Sequence, residues 1–310
     1  MRYASGWRYR VVGALLILQV LTIDAMGANP HVIVIAEMEK TPQAETVAAL
    51  SREMQADGIA LEVLAPSGAN QAALAGARLI ITVGTQAAHA AVALDAKSPV
   101  LHVLLSRSTL DTLQYKPGSA PWSAILLDQP AERQIALIRL ALPEHQRIAT
   151  IAGPETPALA SALAAAAARR GLDTSSAAVA DIPSLYPALR SVLEQPAVLI
   201  ITPDSQVFNS QTVHHVLLTA FRLRAPVLGF SAAYVRAGAV LGLYTTPTQA
   251  GAETATLVRR VVAGHALPPL AHHTLFEVGV NQTVARSLGI QLPQADALTD
   301  ALRTQEGLLP

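Results

Sequence analysis

No cysteine occurs among the 310 residues. That absence excludes disulfides, thiolate metal sites, cysteine nucleophiles and a lipid-bearing cysteine behind an export signal. Aromatic residues are scarce at 4%, and charged residues make up only 14%, so few rings are available to stack on bases. The 22 basic and 22 acidic residues cancel to a formal net charge of zero, a balance that gives a phosphate backbone no purchase; nucleic acid is not an expected partner. Patterns of the types His-Glu-x-x-His, Gly-x-Ser-x-Gly, Gly-x-Gly-x-x-Gly and Gly-Lys-Ser/Thr are also missing, so neither an enzyme nor a cofactor site is expected. His214 and His215 lie about 100° apart on a helix, and His272 and His273 face opposite sides of a strand. Neither pair converges on a metal.

What is abundant is apolar. Hydrophobic residues reach 51%, which excludes a disordered or charge-rich coiled-coil chain, and the length suits two lobes that each bury a core. At the start, Arg2, Arg8 and Arg10 precede a largely apolar run, Val11 to Ile23, followed by the small residues Ala25, Gly27 and Ala28. The run is shorter than the roughly 20 residues that span a bilayer. It reads as a signal peptide over residues 1–27 that sends the mature chain to the periplasm; an uncleaved anchor is the competing reading. Cleavage near Gly27 removes three basic residues and Asp24, leaving a net charge of about −2.

Thereafter β-branched runs alternate with helical patterns. HVIVIA at 31–36, 61–64, RLIITV at 78–83, PVLHVLL at 99–105 and 123–127 read as strands with helices between them, including one over 45–57 closed by Gly58. The alternation then restarts. Helices follow Pro130 and open at Thr156-Pro157, then span 185–194 and 212–224; strands fall at 147–152, 197–202, 226–230 and 239–244. Such a chain predicts two α/β units with parallel sheets covered on both faces. After Tyr244 come a helix over 249–264, a Pro268-Pro269 connection, a strand over 274–280 and a short helix over 282–288. One lone helix and one lone strand suit a chain that recrosses between lobes and so forms a hinge.

An ordered set of C-terminal features strengthens this reading: Pro226-Val227, Tyr234-Val235 with Gly238-Ala239, Gly251-Ala252, Gly264 with Pro268, and Asn281 with Ala285 through Ile290. In this order they resemble the ABC-transporter substrate-binding protein family that includes tryptophan- and tyrosine-type binding proteins. Gly84-Thr85-Gln86-Ala87-Ala88 stands where that family has a Gly-Thr-Pro-Ala-Ala-like turn. The resemblance implies the type I periplasmic binding fold: two Rossmann-like lobes joined by a three-crossing hinge. Residues 28–127 plus 247–266 then form one lobe, and 128–246 plus 267–310 the other. It also implies capture of a small polar, amino-acid-like solute by a monomer and delivery to an inner-membrane ABC permease. A periplasmic sensor or scaffold acting on a membrane partner, and an exported α/β enzyme, are the alternatives.

Ligands of doubly wound sheets sit beyond the carboxyl ends of the strands. In the first lobe those ends offer Glu37, Thr85, Gln86, Ser106 and Arg107; in the second, Asp204, Ser205, Phe230 and Ser231. Thr85 also stands where a helix N-cap belongs. Asp204, after Pro203, suits either a turn or a ligand amine. Arg107 suits either solvent or a carboxylate clamp, while Phe230 and Tyr234 divide between core and cleft wall.

Overall fold

The computed structural model describes residues 31–308; the expected signal segment, 1–27, lies outside the described residues. The first unit runs β1 (Val32–Ala36), α1 (Thr41–Ala56), β2 (Leu61–Leu64), α2 (Gln71–Leu74), β3 (Leu79–Val83), α3 (Thr85–Ala93), β4 (Val100–Leu105), α4 (Arg107–Asp111) and β5 (Trp122–Leu126). Every residue of β1 and β3 is buried, the signature of central strands in a parallel sheet covered on both faces. Helix α1 starts four residues before the expected Glu45, because Pro42 fits a first turn whose N–H groups have no intrahelical partner.

The second unit runs α5 (Ala131–Ala141), β6 (Arg147–Ala152), α6 (Pro157–Arg169), β7 (Asp173–Ala178), α7 (Ile182–Val192), β8 (Val198–Ile200), α8 (Val213–Arg222), β9 (Val227–Gly229), α9 (Ala232–Ala237) and β10 (Leu241–Tyr244). Strand β7, with sequence DTSSAA, pairs only with β6 at the sheet edge and has no fully buried residue. It carries no apolar alternation for a sequence reading to find. Then come α10 (Pro247–Val262), β11 (Ala271–His272), β12 (Glu277–Val280), α11 (Gln282–Ser287) and α12 (Ala295–Gln305).

Two six-stranded sheets result, ordered β2-β1-β3-β4-β5-β11 and β7-β6-β8-β9-β10-β12. All pairings are parallel except β10 with β12. The chain crosses between lobes at 127–130, at 245–246 and at 273–276, so α10 packs on α1 in the first lobe while β12 completes the second sheet. One boundary differs from the sequence reading. Residues 271–272 pair with Ile125 and Leu126 of β5, which places the Pro268-Pro269 connection and β11 with the first lobe and moves the third crossing past His272.

Helix α10 opens with a capping box, Thr246 Oγ1 accepting from Gln249 N–H and Gln249 Oε1 accepting from Thr246 N–H. Its contact with α1 is close. A Cβ at Gly251 would stand 2.5 Å from Thr46 O, 2.7 Å from Ala49 Cβ and 2.9 Å from Leu50 N. Alanine in place of helical glycine ordinarily gains about 1 kcal/mol, but here two of the three obstructing atoms are backbone and the third is a Cβ, so the helices must separate. Gly251→Ala is therefore expected to lower stability by about 1–3 kcal/mol, the usual cost of overpacking. Denaturant unfolding checks this; a rise in midpoint would show that α1 and α10 can slide apart freely.

Candidate functional site

A cavity of about 520 Å³ lies between the lobes, within the size range of small-molecule sites. Its first-lobe wall includes Pro42 and Gln43 at the start of α1, Leu104 of β4 and Ser106 beyond it. The second-lobe wall includes Gly229, Phe230 and Ser231 at the end of β9, with Leu243 and Tyr244 of β10. Between these walls the first two crossings themselves contribute Leu127, Asp128 and Gln129, then Thr245 and Thr246. The cavity thus sits at the carboxyl ends of the hinge-side strands β4, β5, β9 and β10, with further lining from Ile201 and Pro203 after β8 and from helices α5 and α6.

That offset decides the fate of the sequence candidates. Ser106, Phe230 and Ser231 line the cavity. Ser106 caps α4 by accepting from Thr109 N–H, and Ser231 caps α9 by accepting from Tyr234 N–H. Glu37, Thr85, Gln86, Arg107, Asp204 and Ser205 are not among the lining residues. The Glu37 carboxylate pairs with Lys40 at 2.8 Å. Thr85 does not cap α3; Gly84, at φ +90°, takes the cap position, and Thr85 and Gln86 are exposed. The Arg107 guanidinium pairs with Asp111 at 2.9 Å instead of entering the cleft.

Asp204 is wholly buried and has its oxygens engaged locally. Oδ2 accepts from Glu155 N–H at 2.8 Å and from the Thr156 hydroxyl at 3.3 Å, and Oδ1 accepts from Gln206 N–H at 3.1 Å and Val207 N–H at 3.3 Å. Ser205 in turn donates N–H and hydroxyl to the Glu155 carboxylate. The two loops clasp each other, and no Asp204 oxygen is left for a ligand amine. Tyr234 belongs to the core, where burial raises its phenol to about 12, and its ring packs at 4.6 Å on Phe230, which faces the cavity.

Among the described residues that line the cavity, two carry charge: Asp128 and Arg236. Asp128 lies two residues beyond β5, and its Oδ2 accepts from Arg107 N–H at 2.6 Å. Burial raises its carboxyl above the ordinary carboxylate value, more than that N–H and the neighbouring His272 and Arg107 lower it. Arg236, on α9, is exposed. Tyr244 is positioned by two glycines paired across strands, Gly242 of β10 and Gly279 of β12. A Cβ on either would come within 3.3 Å of the Tyr244 ring, so the absence of side chains there gives the ring its place. Leu104 has φ +56°, where the β4–β5 register shifts between His102 and Leu105. Such a bulge turns the end of a strand, here at the cavity wall.

The sequence reading missed Asp128, Gln129, Arg236, Tyr244 and Thr245 as cavity residues. The available signal was the position of Asp128-Gln129 immediately after a strand and before a proline, at a lobe crossing. Two histidines sit nearby: His272 Nδ1 bonds Asp128 O, and the wholly buried His273 bonds Glu253.

Two doubly wound lobes, three crossings and a cavity where the crossings meet define a hinged binding protein. A family profile described as ABC transporter substrate binding protein matches residues 61–301, and the chain belongs to that family. Its fold and family are those of non-enzymatic, extracytoplasmic substrate-binding proteins. Among solved structures it is similar to a substrate-binding protein with adhesive properties from Clostridium difficile, in ligand-free open form, at 17% identity over 86% of this chain and 96% of that one, TM-score 0.69. It is also similar to an ABC domain in complex with L-Trp from Streptococcus pneumonia, at 15% identity, 88% and 98% coverage and TM-score 0.60. A conserved domain protein from Vibrio cholerae matches at 20% identity with the same coverages and TM-score. At these identities the likeness is one of fold. No curated protein matches the sequence. Among the described residues no helix is long and apolar enough to cross a membrane.

Proposed function

We propose that the chain is the periplasmic solute receptor of an ABC uptake system, exported by residues 1–27, and that it hands an amphipathic, amino-acid-like solute to an inner-membrane permease. The observation that carries the ligand class is a partly buried carboxylate, Asp128, in a cavity walled by Leu104, Leu127, Phe230, Leu243 and Tyr244. A desolvated carboxylate is costly alone and favourable beside a cation. A solute ammonium on Asp128 supplies that cation, Arg236 suits the solute carboxylate, and the apolar walls take its side group. The lining thus favours a larger apolar group than a small polar solute carries. Lobe closure completes the enclosure, since a ligand touching both lobes favours the closed form by its differential affinity.

Isothermal titration with L-phenylalanine, phenethylamine and 3-phenylpropionate tests this reading. Asp128→Asn keeps an acceptor for Arg107 N–H. It is expected to weaken the two amines about 10- to 150-fold, the worth of a charge-assisted hydrogen bond, and to leave 3-phenylpropionate nearly unchanged. Equal loss for all three compounds would place the amine elsewhere, and no heat with any of them would reject the ligand class.

A further inference from the structure

Arg133, on α5, is 4% exposed and lies behind the cavity wall. Its Nη1 donates to Gln129 Oε1 at 2.8 Å and to His273 O at 2.9 Å. Nε and Nη2 form a two-pronged pair with Glu306, just beyond α12, at 2.7 and 2.6 Å. The guanidinium also covers the Phe276 ring at 4.1 Å from its centroid. Gln129 belongs to the first crossing, and His273 and Phe276 to the third. The second crossing joins through Thr245, whose hydroxyl oxygen accepts from Gln129 Nε2 at 3.1 Å and donates to Leu275 O at 2.8 Å. All three inter-lobe connections therefore meet in one hydrogen-bonded cluster with Arg133 at its centre.

The direction of each bond follows from the chemistry of the guanidinium. Arginine only donates, so the Gln129 amide must turn its oxygen to Arg133 and its nitrogen to Thr245. Thr245, having accepted, sends its own proton to Leu275 O. One N–H of Gln129 then remains for the cavity that Gln129 lines.

We propose that Arg133 is the positioning residue of the hinge. Held by Glu306, it fixes the three crossings relative to one another and orients Gln129 so that the cavity meets a donor suited to a carboxylate or carbonyl oxygen of the solute. This rests on the cavity being the solute site. Its mechanical half does not depend on which solute binds. Residue Glu306 lies 173 positions from Arg133 in sequence, so the end of the chain works as part of the hinge.

The cysteine-free chain permits a direct test in the mature protein. Spin labels are attached after Gln55→Cys on the first lobe and Ala162→Cys on the second, both exposed positions, and the inter-lobe distance distribution is read by double electron–electron resonance without ligand. Arg133→Met keeps the apolar stem over Phe276 and leaves Glu306, which is partly exposed, to water. The distribution is expected to widen at least about twofold while circular dichroism is unchanged, since loosening the crossings frees a low-cost motion. Glu306→Gln should widen it less, in the same direction. Gln129→Glu still offers Arg133 an acceptor but gives Thr245 no N–H, so it should widen the distribution less than Arg133→Met does. A parental width in folded Arg133→Met overturns the proposal; should that variant not fold, a parental width in Glu306→Gln does so. An Arg133 that merely stabilised the fold would lower the unfolding midpoint and leave the width alone. Failure of the proposed solute class shows separately, as absence of heat with the three phenyl compounds in the parent protein.

Discussion

Asp204→Ala is expected to lower the stability of the second lobe by about 3–5 kcal/mol in denaturant unfolding, because three backbone N–H groups lose their acceptor at once and each buried unsatisfied donor costs roughly 1–3 kcal/mol. Those groups belong to Glu155, Gln206 and Val207, and the Thr156 hydroxyl loses a partner as well. The carboxylate packs directly on the backbone of Gly153, where an added Cβ would stand 2.3 Å from Asp204 Oδ2. Asp204→Asn should cost less, as one oxygen still accepts. If Asp204 instead met a solute, the alanine variant would keep its unfolding midpoint and lose affinity. The two readings predict opposite patterns in a paired measurement of unfolding and calorimetric affinity.

Acidification is expected to weaken the first lobe through His102. The imidazole is wholly shielded in β4, hydrogen-bonded to the Thr82 hydroxyl and the Tyr115 phenol, with Trp122 stacked on Tyr115 at 4.8 Å. Burial lowers its pKa from 6.5 to about 4 and raises that of Tyr115, so the neutral ring is the native species. A histidine depressed in this way contributes its stability fully above its unfolded value and loses it as pH falls from 6.5 through about 4. The loss over that window is about 3 kcal/mol. Unfolding free energy measured across pH 7 to 4 should fall more steeply in the parent than in His102→Gln. Parallel curves would mean that the ring is protonated in the native protein at no cost.

Much of the architecture was legible in local text. The runs HVIVIA and RLIITV can only be strands buried on both faces, and they became β1 and β3; the lone helix and lone strand after Tyr244 read correctly as crossings between lobes. Elements without such a signal escaped. The polar edge strand β7 shows no burial pattern, and the six residues of α9 give too little periodicity to reveal a helix. The site was harder. Of the strand-end candidates, Ser106, Phe230 and Ser231 line the cavity, but which strand ends face each other depends on where three separate crossings bring the lobes together. That meeting point put the cavity toward the hinge and away from the ends of β1 and β3, placed Asp128 and not Asp204 in its lining, and joined Arg133 to a glutamate 173 residues away. Hydrophobic periodicity fixes what a segment buries and hence its element and layer. The identity of a polar partner is a long-range choice among many donors and acceptors, and only the packed chain makes it.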